Sequence, residues 1–333
     1  MAIQGPDSPI PAGTREPRVG LGMPVYNGAR FVAAALDSIL AQTLTDFELV
    51  ICDNASTDET EAICRAYAAR DSRIRYVRNP VNIGAHPNHN LCFELARGRY
   101  FKWTPHDDML APDYLAACVQ ALEENPDAVL CQSQFDYVDG DGAPLGISRD
   151  HLFVCSEQPS RRFAVPLLQP HNVYDVQGLF RRDAMARSVL LPSFHGADRT
   201  LVAQLALFGP FLHMPRPLLR VRDHDSRYTR ALRAPGARAA FVDTRLKGRT
   251  FPTWRLYRSY IGLVRNTPLS PRERLRCCVV LGAWWFVNWN SARAMVDLIA
   301  VVFPGVVRLA ERLKQSFSPA PGVDQLRKAR RGT

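Results

Sequence analysis

From Arg18 onward the chain alternates short apolar runs with segments of helical periodicity. Val19-Gly20-Leu21-Gly22-Met23-Pro24-Val25 ends at the turn Tyr26-Asn27-Gly28, and Phe31 to Gln42 follows with Phe31, Ala34, Ala35, Ser38 and Ile39 at helical spacing. Phe47 to Cys52 is a second apolar run. It leads into Asp53-Asn54-Ala55-Ser56-Thr57-Asp58 and a helical stretch from about Glu59 to Ala69, for which Ser56 or Thr57 is the expected N-cap. A third strand is expected at Ile74 to Val77, a helix at Pro87 to Ala96, and a fourth strand at Tyr100 to Trp103. Near-continuous apolar strands separated by helices predict an α/β fold with a mostly parallel central sheet covered on both faces. Such a sheet sets the loops at Tyr26, Asp53, Asn82 and Asp107 along one rim, where open α/β sheets bind ligands.

Strand character resumes at Val129 to Ser133, and Tyr137 to Gly142 reads as a hairpin turn. Asp175 to Phe180 reads as a further strand or strand edge, and Arg182 to Val189 as a helix. His195-Gly196-Ala197-Asp198 precedes an apolar helix expected at Leu201 to Phe208, stopped by Gly209-Pro210. Beyond Tyr228 the pattern changes to arginine-studded helices. Cys277 to Asn290 carries Trp284, Trp285, Phe286 and Trp289, and Met295 to Val307 is apolar apart from Asp297. Neither run reaches the roughly 18 to 20 uncharged residues that span a bilayer. Tryptophans beside arginines suit a membrane interface, and packing on the preceding domain is the alternative. The expected organisation is a disordered leader over 1–16, an α/β domain over 17–227 and a basic, aromatic helical region over 228–333.

The net charge of +10 conceals a division. Residues 1–215 hold 18 Lys and Arg against 25 Asp and Glu, whereas residues 216–333 hold 24 against 7. The two parts therefore face different partners, and anionic lipid suits the basic part better than nucleic acid does. The eight cysteines form no CxxC pair and no zinc spacing, and most lie in apolar segments. That pattern fits reduced, buried thiols in a cytosolic protein. The Pro/Gly-rich start has neither the basic head nor the apolar core of a signal peptide.

The candidate chemistry centres on Asp107-Asp108, two carboxylates just past the fourth strand. Hard divalent cations such as Mg²⁺ take oxygen ligands and share them with phosphates, so one or two carboxylates suffice. A turn that caps the next helix, beginning near Pro112, is the plainer reading of the dipeptide alone.

Several segments taken together resemble family 2 glycosyltransferases. They are Pro24-Val25-Tyr26-Asn27-Gly28, Leu36 to Thr43, Asp46 to Ile51, Asp53 to Asp58, Asn82-Ile83-Gly84, Ala96 to Tyr100 and Asp107-Asp108, in the family's order and spacing. The resemblance implies a GT-A fold, inversion at the anomeric carbon, a nucleotide-sugar donor (a UDP, dTDP or GDP sugar) and a divalent metal, Mg²⁺ or Mn²⁺. It implies that Pro24 and Tyr26 line the nucleotide pocket, that Asp53 with Asn54 binds the base, and that Asn82 and Gly84 border the ribose and diphosphate. Asp107 would reach the ribose or metal, Asp108 the metal, and His224 would help hold metal or diphosphate. Asp198 stands at the place of the catalytic base.

The chain also departs from the family pattern. Pro105 replaces an acid two residues before Asp107, Asn54 replaces a second acid, His89, carried over as a donor-binding residue, stands before Asn90 where an arginine is usual, and Ala197 precedes Asp198. The expected acceptor is a glycan or glycolipid, with the protein in the cytoplasm or peripheral at the inner face of the plasma membrane. The rival reading is a catalytically inactive protein of the same fold that docks a partner or membrane through its basic region.

Overall fold

The computed structural model describes residues 15–148, 152–225, 240–245 and 251–303. The expected leader, apart from Arg15 and Glu16, and the basic stretches 226–239 and 304–333 lie outside the described residues. The alternation read from the sequence is realised as β1 (Val19–Val25), α1 (Val32–Leu40), β2 (Phe47–Asp53), α2 (Thr60–Arg70), β3 (Ile74–Arg78), α3 (Ala85–Leu95) and β4 (Tyr100–Trp103). The four strands are parallel in the order β3-β2-β1-β4, with Val25 beside Asp53 and Asp53 beside Arg78. Their C-terminal ends form the expected rim.

The chain continues through β5 (Met109–Leu110), α4 (Tyr114–Glu124), β6 (Leu130–Val138), β7 (Pro144–Ile147), α5 (Pro159–Leu168), β8 (Leu179–Arg181), α6 (Arg182–Ala186), α7 (Ala197–Phe208) and β9 (Phe211–Arg222). The sheet extends as β4-β8-β6-β9-β5, with β7 on β6. Because β8 runs antiparallel to both β4 and β6, this half of the sheet is mixed. Asp175 to Phe180 is not one strand: Tyr174–Gln177 is a single 3-10 turn and β8 starts after Gly178. The expected N-cap of α2 is also corrected. Neither Ser56 nor Thr57 caps it, and Asp58 instead accepts from the backbone N–H of Thr60 at 3.1 Å and its hydroxyl at 2.5 Å.

Helix α7 begins four residues before the expected Leu201. Gly196 turns the chain at φ 91, and Asp198 then falls in the first turn, where the helix dipole favours an acid.

Alternation along β1 feeds two cores. Val19, Leu21, Met23 and Val25 pack with α1, α2 and α4, whereas α3 and α7 cover the other face through Leu91, Cys92, Phe93, Leu201 and Leu205. A Cβ at Gly22 would stand 2.7 Å from that of Cys92, so the absent side chain lets α3 lie directly on β1.

The helical region contains α8 (Pro252–Asn266), α9 (Pro271–Trp284) and α10 (Asn290–Val302). A third core joins Tyr260, Leu263, Val264, Cys277, Leu281 and Trp284 to Phe163 and Leu167 of α5 and Ala203 and Leu207 of α7. The inner side of the region is thus packed on the α/β domain. No helix of the described residues is long and apolar enough to cross a membrane. All eight cysteines are free thiols, and six are buried.

Candidate active site

The rim is built from loops that bind one another before they bind anything else. After β1, Asn27 takes a left-handed φ of 50. The backbone N–H groups of Asn27 and Gly28 donate to Ser56 Oγ at 2.9 Å and Thr60 Oγ1 at 2.8 Å, and Asn27 Oδ1 accepts from the Thr57 N–H at 2.8 Å. The turn holding Tyr26 is thereby stitched to the turn after β2. Pro24 is buried in β1 opposite Cys52, whereas the Tyr26 side chain is open to solvent at 44 %.

Asp53 is fully buried. Its Oδ1 accepts from the Ser56 N–H at 2.8 Å, and its Oδ2 accepts from the Tyr76 hydroxyl at 2.6 Å and Arg78 Nη1 at 3.0 Å. A buried carboxylate needs such partners, and here they fix the loop expected to meet the base.

Asn54 turns inward as well. Its Nδ2 donates to Asn82 Oδ1 at 2.9 Å and the Gly84 carbonyl at 3.2 Å, while its Oδ1 accepts from Asn79 Nδ2 at 3.0 Å and the Ile83 N–H at 2.9 Å. Asn79 also donates to Asn88 Oδ1, and Asn88 to the Cys52 carbonyl. This four-asparagine knot fastens the loop before α3 to the end of β2. Asn54, Asn82 and Gly84 are brought together as the sequence reading expects, but the two asparagine side chains serve the loop's own shape.

Gly84 has φ 93 and ψ 164, a region essentially reserved for glycine. A Cβ there would meet Asp243 Cα at 2.5 Å and the Val242 carbonyl oxygen at 2.7 Å. Residues 240–245 therefore lie over the Asn82 to Gly84 loop, and Thr244 Oγ1 donates to the Asn82 carbonyl at 3.1 Å. Asp243 anchors this segment, accepting from Ser193 Oγ at 2.5 Å and from both Nε and Nη2 of Arg245. The Arg245 guanidinium holds the Asp243 carboxyl well below the usual carboxylate range.

Beyond β4 the acidic pair divides its work. Asp108 is buried, its Oδ1 accepting from the Arg222 N–H at 2.9 Å and its Oδ2 from Gln177 Nε2 at 3.0 Å. It braces β9 against the 3-10 turn. Asp107 is half-buried, and its Oδ2 receives His224 Nε2 at 3.0 Å. The His224 ring rests on Phe31 at 4.6 Å, and the Arg222 guanidinium stacks on the same phenyl ring at 5.0 Å. Arg222 Nε donates to the Asp107 carbonyl at 3.1 Å and its Nη1 to the Gly140 carbonyl at 2.9 Å.

The structure thus unites Asp107 with His224 and points Asp108 into the scaffold. Among the described residues no cluster of three or more His, Cys, Asp or Glu is assembled for a cation. Asp107 and His224 offer one oxygen and one nitrogen. Here the two groups hydrogen-bond to each other at 3.0 Å; with Nε2 deprotonated they would offer that oxygen and nitrogen to a divalent ion. The pair fits a divalent ion whose other positions go to water or phosphate.

Asp198 is half-buried, and its Oδ1 accepts from the Arg199 N–H at 2.9 Å. Its charge acts on two neighbours, His86 and Tyr260. His86 donates Nδ1–H to the Pro192 carbonyl at 2.8 Å, which leaves Nε2 as the acceptor nitrogen of the neutral ring. Burial pushes the His86 pKa down, against the pull of Asp198 and Asp243. His86, Asp243, Gln177 and Arg222 escape the sequence reading. Only Arg222 carried a local signal, by lying two residues before His224. His89 donates to its own helix at the Ala85 carbonyl, stands edge-on to Trp103, and is driven by burial down to about 4. It is a neutral packing residue there, not a cation in place of the family's arginine.

The model of glycosyl transferase family 2 matches residues 21–187, half of the chain. Chondroitin synthase of Escherichia coli is 33 % identical over 111 residues, 33 % of this chain and 16 % of that protein. The putative glycosyltransferase EpsE of Bacillus subtilis is 37 % identical over 110 residues, 33 % of this chain and 40 % of that protein. The chain spans less than half the length of either. Among solved structures, S. aureus TarS in complex with UDP superposes with a TM-score of 0.59 at 14 % identity, covering 81 % of this chain and 72 % of that one. The mannosyltransferase PcManGT of Pyrobaculum calidifontis, in complex with GDP-Man and Mn²⁺, gives 0.51 at 18 % identity, covering 91 % and 81 %. At these identities the superpositions establish the GT-A fold alone. Joined to the family match across β1 to β8, they make this chain a member of glycosyl transferase family 2.

Proposed function

We propose that the chain transfers a sugar from a nucleotide-diphosphate sugar to an acceptor hydroxyl, with inversion, by a single displacement. The observation that carries this reading is the Asp107–His224 pair, held on the rim where β1, β2 and β4 end. The nucleotide lies along the rim between Tyr26, Asp53 and the Asn82 to Gly84 loop, with its diphosphate toward Asp107 and His224. A divalent ion held by these two residues supplies charge neutralisation for the departing nucleoside diphosphate. Asp198 takes the proton from the acceptor hydroxyl as that oxygen attacks the anomeric carbon on the face opposite the leaving group. The bond to the acceptor oxygen forms as the bond to the phosphate oxygen breaks, so no covalent enzyme intermediate is needed.

TarS is described with UDP and UDP-GlcNAc and PcManGT with GDP-Man and Mn²⁺, which supports a UDP or GDP sugar with Mn²⁺ as the first donors to assay. A glycan or glycolipid is the acceptor class, and its work site is the cytoplasmic side of a membrane. The test is nucleotide-diphosphate release from these sugars with Mn²⁺ or Mg²⁺, in wild type and Asp198→Asn. Loss of a general base lowers turnover by about 10² to 10⁴-fold and leaves donor binding intact. Donor binding without turnover in any pairing supports the inactive binding-protein reading instead.

A further inference from the structure

We infer that the outer face of α8, α9 and α10 is a docking surface for an anionic lipid bilayer, entered by Phe286 and Trp289. The inner face of these helices is consumed by packing on α5 and α7. The outer face is not. Ten of the sixteen exposed large hydrophobic side chains among the described residues fall within 251–303, so the exposed apolar surface is concentrated there. On α9, Leu275 and Val279, one helical turn apart, are 68 % and 67 % exposed, and Phe286, in the turn just past the helix, is 89 % exposed. Met295, Ile299 and Phe303 repeat the pattern along α10.

The connection between α9 and α10 adds an independent observation. Asn288 and Trp289 both adopt left-handed backbone, φ 54 and 59, an unfavourable conformation for a bulky side chain. The turn is fixed from within. Asn290 Nδ2 donates to the Trp284 carbonyl at 2.8 Å, and the Ser291 hydroxyl donates to the Trp285 carbonyl. The outcome of this fixed turn is a tryptophan 81 % exposed in the connection between α9 and α10. Backbone strain retained to hold an aromatic ring in water marks a binding position.

Charge selects the occupant. Residues 251–303 hold seven arginines against Glu273 and Asp297. Glu273 is engaged by Arg276 and the Ser160 N–H, and Asp297 accepts from the Thr253 N–H. Six of the arginines, including Arg272 and Arg274 at the head of α9, are exposed. Exposed apolar and aromatic side chains on helices that also carry exposed arginines fit the headgroup region of an anionic leaflet. The shared positive charge opposes a second copy of the chain on this face. The many exposed apolar side chains distinguish it from a nucleic-acid groove, which binds through charge first. Because α8 touches α7 through the Thr200 and Ser259 hydroxyls at 2.8 Å, docking would set Asp198's helix close above the membrane.

The inference stands apart from the catalytic reading. Its test is co-sedimentation of the full chain with vesicles of phosphatidylcholine, with and without phosphatidylglycerol, for wild type, Phe286→Ser/Trp289→Ser and Arg272→Glu/Arg274→Glu. Binding to the anionic vesicles is expected to fall at least about tenfold in each double variant and on omitting phosphatidylglycerol. Unchanged thermal unfolding and unchanged nucleotide-sugar turnover in solution would show that fold and site are intact. Equal sedimentation of wild type and the aromatic variant overturns the inference, as does absence of wild-type binding. A wild-type dimer that the aromatic variant abolishes assigns the face to self-association instead.

Discussion

His224 Nε2 stands 3.0 Å from Asp107 Oδ2 although the residues are 117 positions apart in the chain. The approach is made by β9, which runs back beside β6 and pairs with β5, so that the end of one strand meets the loop leading into the other. Phe31 supports the imidazole from beneath and Arg222 holds the Asp107 main chain from the side. The pair is therefore positioned by three separate elements.

If this pair holds the cation, His224→Ala and Asp107→Asn each weaken Mn²⁺ affinity by about 10 to 100-fold. The measurement is a Mn²⁺ titration of the thermal transition in the presence of nucleoside diphosphate. Asp108→Asn should behave differently, since that carboxylate braces Arg222 and Gln177: it lowers the melting temperature first. Equal metal affinities in wild type and His224→Ala would remove His224 from the site.

Arg222 makes a second, sharper case. It is buried and its fork spans the Asp107 and Gly140 carbonyls while its plane stacks on Phe31. Lysine keeps the charge but loses both the fork and the stacking. Arg222→Lys should cost about 1 to 3 kcal/mol in urea unfolding and weaken Mn²⁺ binding alongside. A variant that loses stability yet binds Mn²⁺ as wild type does would show that Arg222 supports the fold but does not position Asp107.

At Gly84 the backbone conformation and the space both forbid a side chain. Gly84→Ala should displace residues 240–245 and raise the donor KM about tenfold, with a stability loss of about 1 to 3 kcal/mol. Ser193→Ala is the control. It removes one hydroxyl from Asp243 but leaves the Arg245 pair, so the donor KM should change little. Similar kinetics in the two variants would argue that the overlying segment has no part in donor binding.

The strands β1 to β4 were legible within about a residue because strands buried on both faces are written as unbroken apolar runs. β9 was not, since Pro215, Arg216 and Pro217 interrupt it and its pairing to β6 slips at Ser133 to Phe135. Polar side chains were harder still. Asp53, Asn54 and Asn82 lie on the rim as expected, but sequence spacing could not tell that their own loops would take up so much of their hydrogen-bonding capacity. Asp107 and His224 meet only through the tertiary path of β9, which no local pattern encodes. His86, on which both Asp198 and Asp243 act, and Asp243 itself sat in segments with no recognisable spacing at all.

Lys102 offers a test of the core that feeds the site. It points into the buried face of β4, donating to the Gln177 carbonyl and lying 4.8 Å from the Tyr114 ring centre, close to Asp108. Burial lowers its pKa from 10.5 to about 8. The unfolded chain therefore binds this proton more tightly than the folded one. Between pH 8 and 10.5 the unfolded state carries the extra proton, so raising the pH through that window stabilises the fold; below 8 both states are protonated and the contribution is flat. Each unit is worth about 1.4 kcal/mol, so wild type should gain on the order of 3 kcal/mol across the window relative to Lys102→Met. Comparing the two proteins cancels the other groups that titrate there. Tyr114 also donates to the Gln177 carbonyl at 3.2 Å, so the methionine variant does not strand that acceptor and should fold. Urea unfolding of both proteins at several pH values measures the difference, and parallel pH profiles would place the Lys102 ammonium in contact with water.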